Sequence, residues 1–377
     1  MDVETILSIY SIICLAVIGF NVLNIFASRV EPHIINLMLK IYSKTIEGYI
    51  ERYKDGKAIG KIAAWRMRFS FRRTLQLTAF DNLISQIESV HEKEMLYDII
   101  RYNYFIVYDI TEKFLKESPI KTAYFLNLFY KYDILSVRPN DNIIALINKF
   151  LYKPSIYIRH NAFLVILKNG DPYKVADAIN IINKADGYNH EKILSVGLMG
   201  FEGDSDKLIS ILLNNFDSYK TWIQDAICNY ASIAGGAHKS TILNIMNDEG
   251  YSNKTRVFCI RYFGFYVYDK AFPYIIQYAV DTNPSKWEFA EMAVKTLSSY
   301  NCIETIYTLK DCLKSSNWNI KVDAAKALAS FGVKYNDLLD IFNGEDRYAK
   351  EIMQYFLDMR KLRDNNDKED TNDGRVI

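Results

Sequence analysis

Cysteine, histidine and glycine are all scarce in this chain of 377 residues. There are five cysteines, five histidines and 16 glycines. The cysteines, Cys14, Cys228, Cys259, Cys302 and Cys312, are odd in number and form no CxxC pair. That argues against a disulfide framework or a structural zinc site, and it suits a reducing compartment. His91 and His190 each precede a glutamate, but Met95 and Leu194 stand where a zincin helix needs its second histidine. The stretch GGAHKST lacks the glycine before lysine that a phosphate loop requires, and neither GxSxG nor GxGxxG occurs. His160 reads as an ordinary surface or groove histidine. Asp204 and Asp206 fall in a turn between predicted helices, where aspartates act as caps. No catalytic residue, metal, cofactor or small-molecule substrate is therefore expected. Formal net charge is only +1, which predicts no general attraction to nucleic acid.

Charge is missing altogether from one place. Thr5 to Ser28 carries no charged residue, in the run TILSIYSIICLAVIGFNVLNIFAS. That is about the length a helix needs to cross a bilayer. A cleaved signal peptide fits poorly, because MDVE is acidic where a basic region is wanted and the apolar run is too long. Residues 1–28 are thus expected to form a retained transmembrane helix. Asn21 and Asn24 lie towards one end, where water or a partner helix can satisfy them. No Lys or Arg precedes the run, whereas Arg29, Lys40 and Lys44 follow it. The positive-inside rule then places the N-terminus outside the cell membrane and the remainder in the cytoplasm.

What the chain does have is a recurring pattern. The alanine-rich segment NWNIKVDAAKALASFG runs to Gly332, with Ala324 in mid-helix. SIYIRHNAFLVILKNGDP places Ala162 at the same point, with Gly170 matching Gly332, Arg159 matching Lys321 and Ser155 matching Asn317 as a helix cap. SNKTRVFCIRYFG supplies Arg256 and Cys259, and EKILSVGLMGFEGDSDKL supplies Lys192, Ser195 and Gly203. AVKTLSSYN aligns through Ala293, and TWIQDAICNYASIAGG through either Ala226 or Cys228. The small positions recur at roughly 31 to 34 residues, the period of a helical repeat array. One period accommodates two helices of ten to fourteen residues and two short turns. A small residue lets the neighbouring helix approach, and the glycine after it can adopt a left-handed conformation and end the helix. Stacked pairs then share one continuous core.

The pattern I-R-x-x-A followed by G-D-P, at Ile158 to Pro172, resembles HEAT repeats of the short bacterial type, as does I-K-x-x-A at Ile320 to Ala324. The resemblance covers about residues 150 to 342. It implies an all-α fold, a right-handed α-solenoid over residues 116–360, whose second helices line the concave side. It also implies that Arg159, Lys192, Arg256 and Lys321 form a basic ladder to acidic residues of adjacent repeats. The copies with Ile223 (or Asp225) and Ala290 at that position break the ladder twice. Trp222, Trp287 and Trp318, all near the starts of second helices, are candidates for an aromatic strip in the groove that binds a partner, or for packing between repeats.

Residues 29–115 read as a basic, aromatic-rich helical region. RYKDGKAIGKIAAWRMRFSFRR carries eight bases against Asp55 alone. On a single helix Lys54, Lys57, Lys61, Arg68 and Arg72 share one stripe, which suits anionic lipid headgroups. Pairing with nearby acids is the alternative, and Gly56 and Gly60 weaken the single helix. The rings crowded between Tyr97 and Tyr132 suit the interior, an interface, or both. Residues 361–377 read as a disordered polar tail.

A non-enzymatic role follows: a membrane-anchored cytosolic scaffold or adaptor that binds a protein partner, itself a membrane protein. By analogy it resembles accessory subunits of bacterial membrane complexes such as polysaccharide glycosyltransferase machinery. The alternatives are an enzyme of the HEAT-like DNA glycosylase or bilin lyase type, against which the neutral charge and the anchor speak, and a structural subunit whose transmembrane helix packs inside a membrane assembly.

Overall fold

The computed structural model describes residues 3–56, 73–135, 141–185 and 190–373, and among them it is all-α, with no strand. The chain divides into two compact units, Met1–Gly170 with Ala185–Gly187, and Asp171–Lys184 with Tyr188–Ile377.

The first unit begins with α1 (Val3–Lys54), far longer than the apolar run alone. Its segment Leu7–Phe26 is long and apolar enough to cross a membrane, and none of it is buried; a signal sequence passes the same test. The far half of α1 buries Ile46, Tyr49 and Ile50. It packs on α2 (Thr74–Gln86) and α3 (Val90–Tyr102). Pairing then becomes regular. Helix α4 (Tyr104–Phe114) lies on α6 (Asp141–Phe150), and α5 (Pro119–Lys131) lies on α7 (Ile156–Lys168). The aromatic crowd divides between inside and outside. Phe114 and Phe125 stack at 4.5 Å in the interior, whereas Tyr104, Phe105 and Tyr108 are exposed.

In the second unit each helix pair contributes its second helix to a continuous row. That row is α9 (Glu191–Met199), α11 (Thr221–Ala234), α13 (Asn253–Phe265), α15 (Trp287–Leu297), α17 (Trp318–Ser330) and α19 (Arg347–Asp373), each packed on the next. First helices lie beside them: α8 (Pro172–Lys184) on α10 (Ser205–Asn214), then α12 (Lys239–Asn247), and α14 (Phe272–Ala279) on α16 (Ile303–Cys312). A single turn of helix, α18 (Leu339–Phe342), precedes the last. This order is compatible with a helical repeat solenoid. Helix α19 runs into the segment read as a disordered tail, and side chains beyond Arg363 lie outside the described residues.

Local chemistry sets the helix limits. Asn317 caps α17 by accepting from the Asn319 amide at 2.9 Å, and alanine, the best helix former, fills much of its length. Gly332 then takes φ +78°, and Gly170 after α7 takes φ +74°, the left-handed conformation that stops a helix. Asp204 caps α10 through the Lys207 amide at 3.0 Å. The small positions Ala162, Ser195, Cys259, Ala293 and Ala324 are all fully buried. The sixth copy uses Cys228, because its Sγ lies 3.7 Å from that of Cys259 in the next repeat.

Enlarging a small position should strain the contact between successive second helices. Ala324→Leu is expected to destabilise the protein by about 1–3 kcal/mol in denaturant unfolding. Lys326→Leu, exposed on the same helix, should change stability by less than about 0.5 kcal/mol.

Candidate interaction surface

The four basic positions behave differently from one another. Arg159, at the edge of the first unit's core, donates through Nη1 to the carbonyls of Lys153 and Pro154, at 2.9 and 2.7 Å. Burial pulls its pKa down. Arg256 donates from Nε to the Met246 carbonyl at 3.0 Å and from Nη2 to the Tyr278 hydroxyl at 3.0 Å. Its guanidinium also sits 5.1 Å over the Phe289 ring of the next pair. Both arginines thus cap the chain leaving a first helix, and Arg256 reaches the adjacent repeat through aromatic groups. Lys321 meets an acid of the following pair, donating to Asp346. Lys192 points to solvent, because its neighbour Glu191 takes the buried position.

Glu191 accepts from Lys254 at 2.8 Å and lies 2.6 Å from the His190 ring nitrogen. Burial works to raise its pKa, but Lys254 and His190 outweigh that and hold it low. The pair joins the starts of α9 and α13, although α11 lies between them in the row. Adjacent helix axes are about 8–10 Å apart, so two spacings in a plane would exceed the reach of a Glu–Lys bridge. The row of helix starts therefore curves inward here.

The break at Asp225 is also a link. Its carboxylate is buried and accepts from Ser252 Oγ at 2.8 Å and Thr255 Oγ1 at 2.5 Å. Ser252 in turn caps α13 through the Thr255 amide at 3.0 Å. Further along these helices Asn229 bridges Ser195 Oγ and Arg261, each at 3.2 Å. Lys295 joins Glu291 at 2.5 Å to Asp323 at 3.5 Å. Burial raises the Asp323 pKa. It also opposes the charge on Lys295, whose pKa nevertheless rises because of Glu291 and Asp323.

The three tryptophans occupy the same repeat position, six residues before the small one. Trp222 is half-buried, Trp287 is 43% exposed and Trp318 is 53% exposed. Trp318 meets Tyr348 edge-on, with ring centroids 6.5 Å apart, and Tyr348 opens the next second helix. Trp287 walls a cleft of about 690 Å³ shared with Asp281, Asp311, Lys314 and Asn317. Exposed rings with open sides, set among mixed charges, offer contact area and hydrogen bonds to another polypeptide.

The remaining candidates are placed as follows. Of the basic stripe only Lys54 lies among the described residues; it pairs with Glu92 at 3.2 Å. Helix α1 ends there, and Gly56 takes φ +69°. Lys57, Lys61, Arg68 and Arg72 lie outside the described residues. His160 is half-buried, and burial lowers its pKa. Burial pushes the Cys228 thiol well up and Cys312 up to about 12, which suppresses their nucleophilic thiolates. Among the described residues no group of three His, Cys, Asp or Glu is placed to hold a metal. Comparison with known proteins finds no matching family model and no matching curated protein.

Asp346 provides a pH test. The Lys321 hydrogen bond, followed by that of the Ala349 amide, holds its carboxyl below the ordinary range. A carboxyl with a depressed native pKa stabilises above its unfolded value, about 3.9, and that contribution disappears as pH falls through the native value. Asp346→Asn should therefore lower stability by about 1 kcal/mol at pH 7, in view of its partial exposure. The difference from the unmodified chain should shrink progressively in unfolding experiments as pH is lowered below the unfolded value of about 3.9.

Proposed function

We propose that the chain is a membrane-anchored scaffold, built on a right-handed solenoid of bacterial HEAT-like repeats, that binds a protein partner at the membrane. The observation that carries this reading is the exposed aromatic row at the starts of the second helices, Trp287, Trp318 and Tyr348, on a chain that also bears a candidate span. Such an array enlarges its surface repeat by repeat while each contact stays local, which suits an extended recognition face. The inward curve at Glu191 and Lys254 supports a groove along that edge.

In this reading Leu7–Phe26 is retained in the membrane and residues after Arg29 face the cytoplasm. The partner is a membrane protein, with the chain as an accessory subunit of a bacterial membrane complex such as polysaccharide glycosyltransferase machinery. No catalytic role is assigned to the chain. The dispersed, paired carboxylates and the hydrogen-bonded bases in the row act as links between helices.

A photo-crosslinking amino acid in place of Trp318 or Trp287, in native membranes, should give one discrete adduct of the full-length chain. The same amino acid at Lys326 should give about tenfold less. Equal yields at all three positions, or recovery of the chain in the soluble fraction, would contradict the reading.

A further inference from the structure

Where the candidate span ends at Phe26, α1 continues without interruption. Beside that point the first unit forms a cleft of about 710 Å³. One wall is a single face of α1, with Phe26, Val30 and Ile34 at steps of four. A rise of about 1.5 Å per residue puts Val30 about 6 Å and Ile34 about 12 Å beyond Phe26. The headgroup layer on each side of a bilayer is about 5–8 Å thick. If Leu7–Phe26 spans the membrane, as proposed above, the end of the cleft at Phe26 and Val30 lies at headgroup depth and its apolar wall continues that of the span.

The opposite wall is cationic. Arg73, Lys113 and Lys121 line it. Glu117 lies between the two lysines, at 3.2 and 3.6 Å, and its pKa is lowered first by the Lys113 hydrogen bond. One acid against three bases leaves the wall positive. Thr74 and Thr78 add hydroxyls. Helix α2 opens at this point with no side chain capping it, so its positive end adds to the field. None of these residues belongs to the basic stripe read from the sequence.

We infer that this cleft seats one anionic phospholipid. Its phosphate lies against Arg73, Lys113 and Lys121, and its acyl chains run along Phe26 towards the span. A phosphate monoanion is the chemistry recognised, and the apolar wall commits the site to a lipid as its source.

Native mass spectrometry of the full chain from detergent, with added phosphatidylglycerol or phosphatidylcholine, tests this. One phosphatidylglycerol should be retained per chain at about tenfold lower concentration than phosphatidylcholine. The triple variant Arg73→Gln, Lys113→Gln, Lys121→Gln should weaken retention about fivefold per cation removed. Lys184→Gln, Lys270→Gln, Lys326→Gln, with the same charge loss in the other unit, should leave it unchanged. Glu117→Gln should strengthen it, an outcome that misfolding cannot produce. Equal retention of the two lipids, a triple variant that behaves like the control, or full displacement by millimolar inorganic phosphate would overturn the inference. Carbonate extraction separates the premises: a chain released to the supernatant fails both readings, and one that stays in the membrane without lipid preference fails only this one.

Discussion

A small side chain in the middle of the second helices α9, α11, α13, α15 and α17 sets the distance to the next, and the rest of the stacked structure follows from it. Ser195, Cys228, Cys259, Ala293 and Ala324 occupy equivalent buried points along the row. Their size lets successive helices approach until backbone and short side chains touch across the seam. A larger residue there would push apart helices whose other contacts are tuned to that spacing. The core of the unit is therefore continuous through the row, although no single pair encloses much of it.

Close approach also brings polar groups of adjacent pairs within reach. Thr296 donates to the Ile260 carbonyl at 3.1 Å, Tyr266 to the Ile233 carbonyl at 2.8 Å, and Ser299 to the Gly264 carbonyl at 2.6 Å. Each joins residues about one period apart. The Thr296 bond is buried and satisfies a hydroxyl that would otherwise be left unpaired, whereas the other two lie at the surface; all three tie one helix to the next. The charged residues in this network are linked to neighbours. Trp287 and Trp318 stay exposed at the starts of their helices.

The period was legible because small residues and terminal glycines have strict backbone consequences. The role of the bases was only partly legible. Lys321 meets Asp346 of the following pair, whereas Arg159 and Arg256 donate to carbonyls, which leave no sequence signal. Lys192 is solvent-facing since Glu191, one residue earlier, finds Lys254 two second helices away in the row. That is a long-range contact no local pattern contains. Asp225, read as a break, is a buried acceptor for the next helix cap; the serine and threonine at Ser252 and Thr255 were the available sign. The length of α1 was missed for a different reason. The uncharged run placed a boundary at residue 28, but α1 continues through it and through Pro32 and buries Ile46, Tyr49 and Ile50. The tryptophans share one position in the repeat, and the sequence could not say that Trp222 would be less exposed than the other two.

The central claim is that successive helix pairs are coupled directly through their buried seam. The bond between Asp225 on α11 and Thr255 on α13, 2.5 Å long, is its most direct probe. A double-mutant cycle of Asp225→Ala and Thr255→Val, read by denaturant unfolding, should give a coupling energy of about 1–3 kcal/mol. Additive effects, with coupling below about 0.5 kcal/mol, would show that the two residues do not meet and would contradict the stacked arrangement.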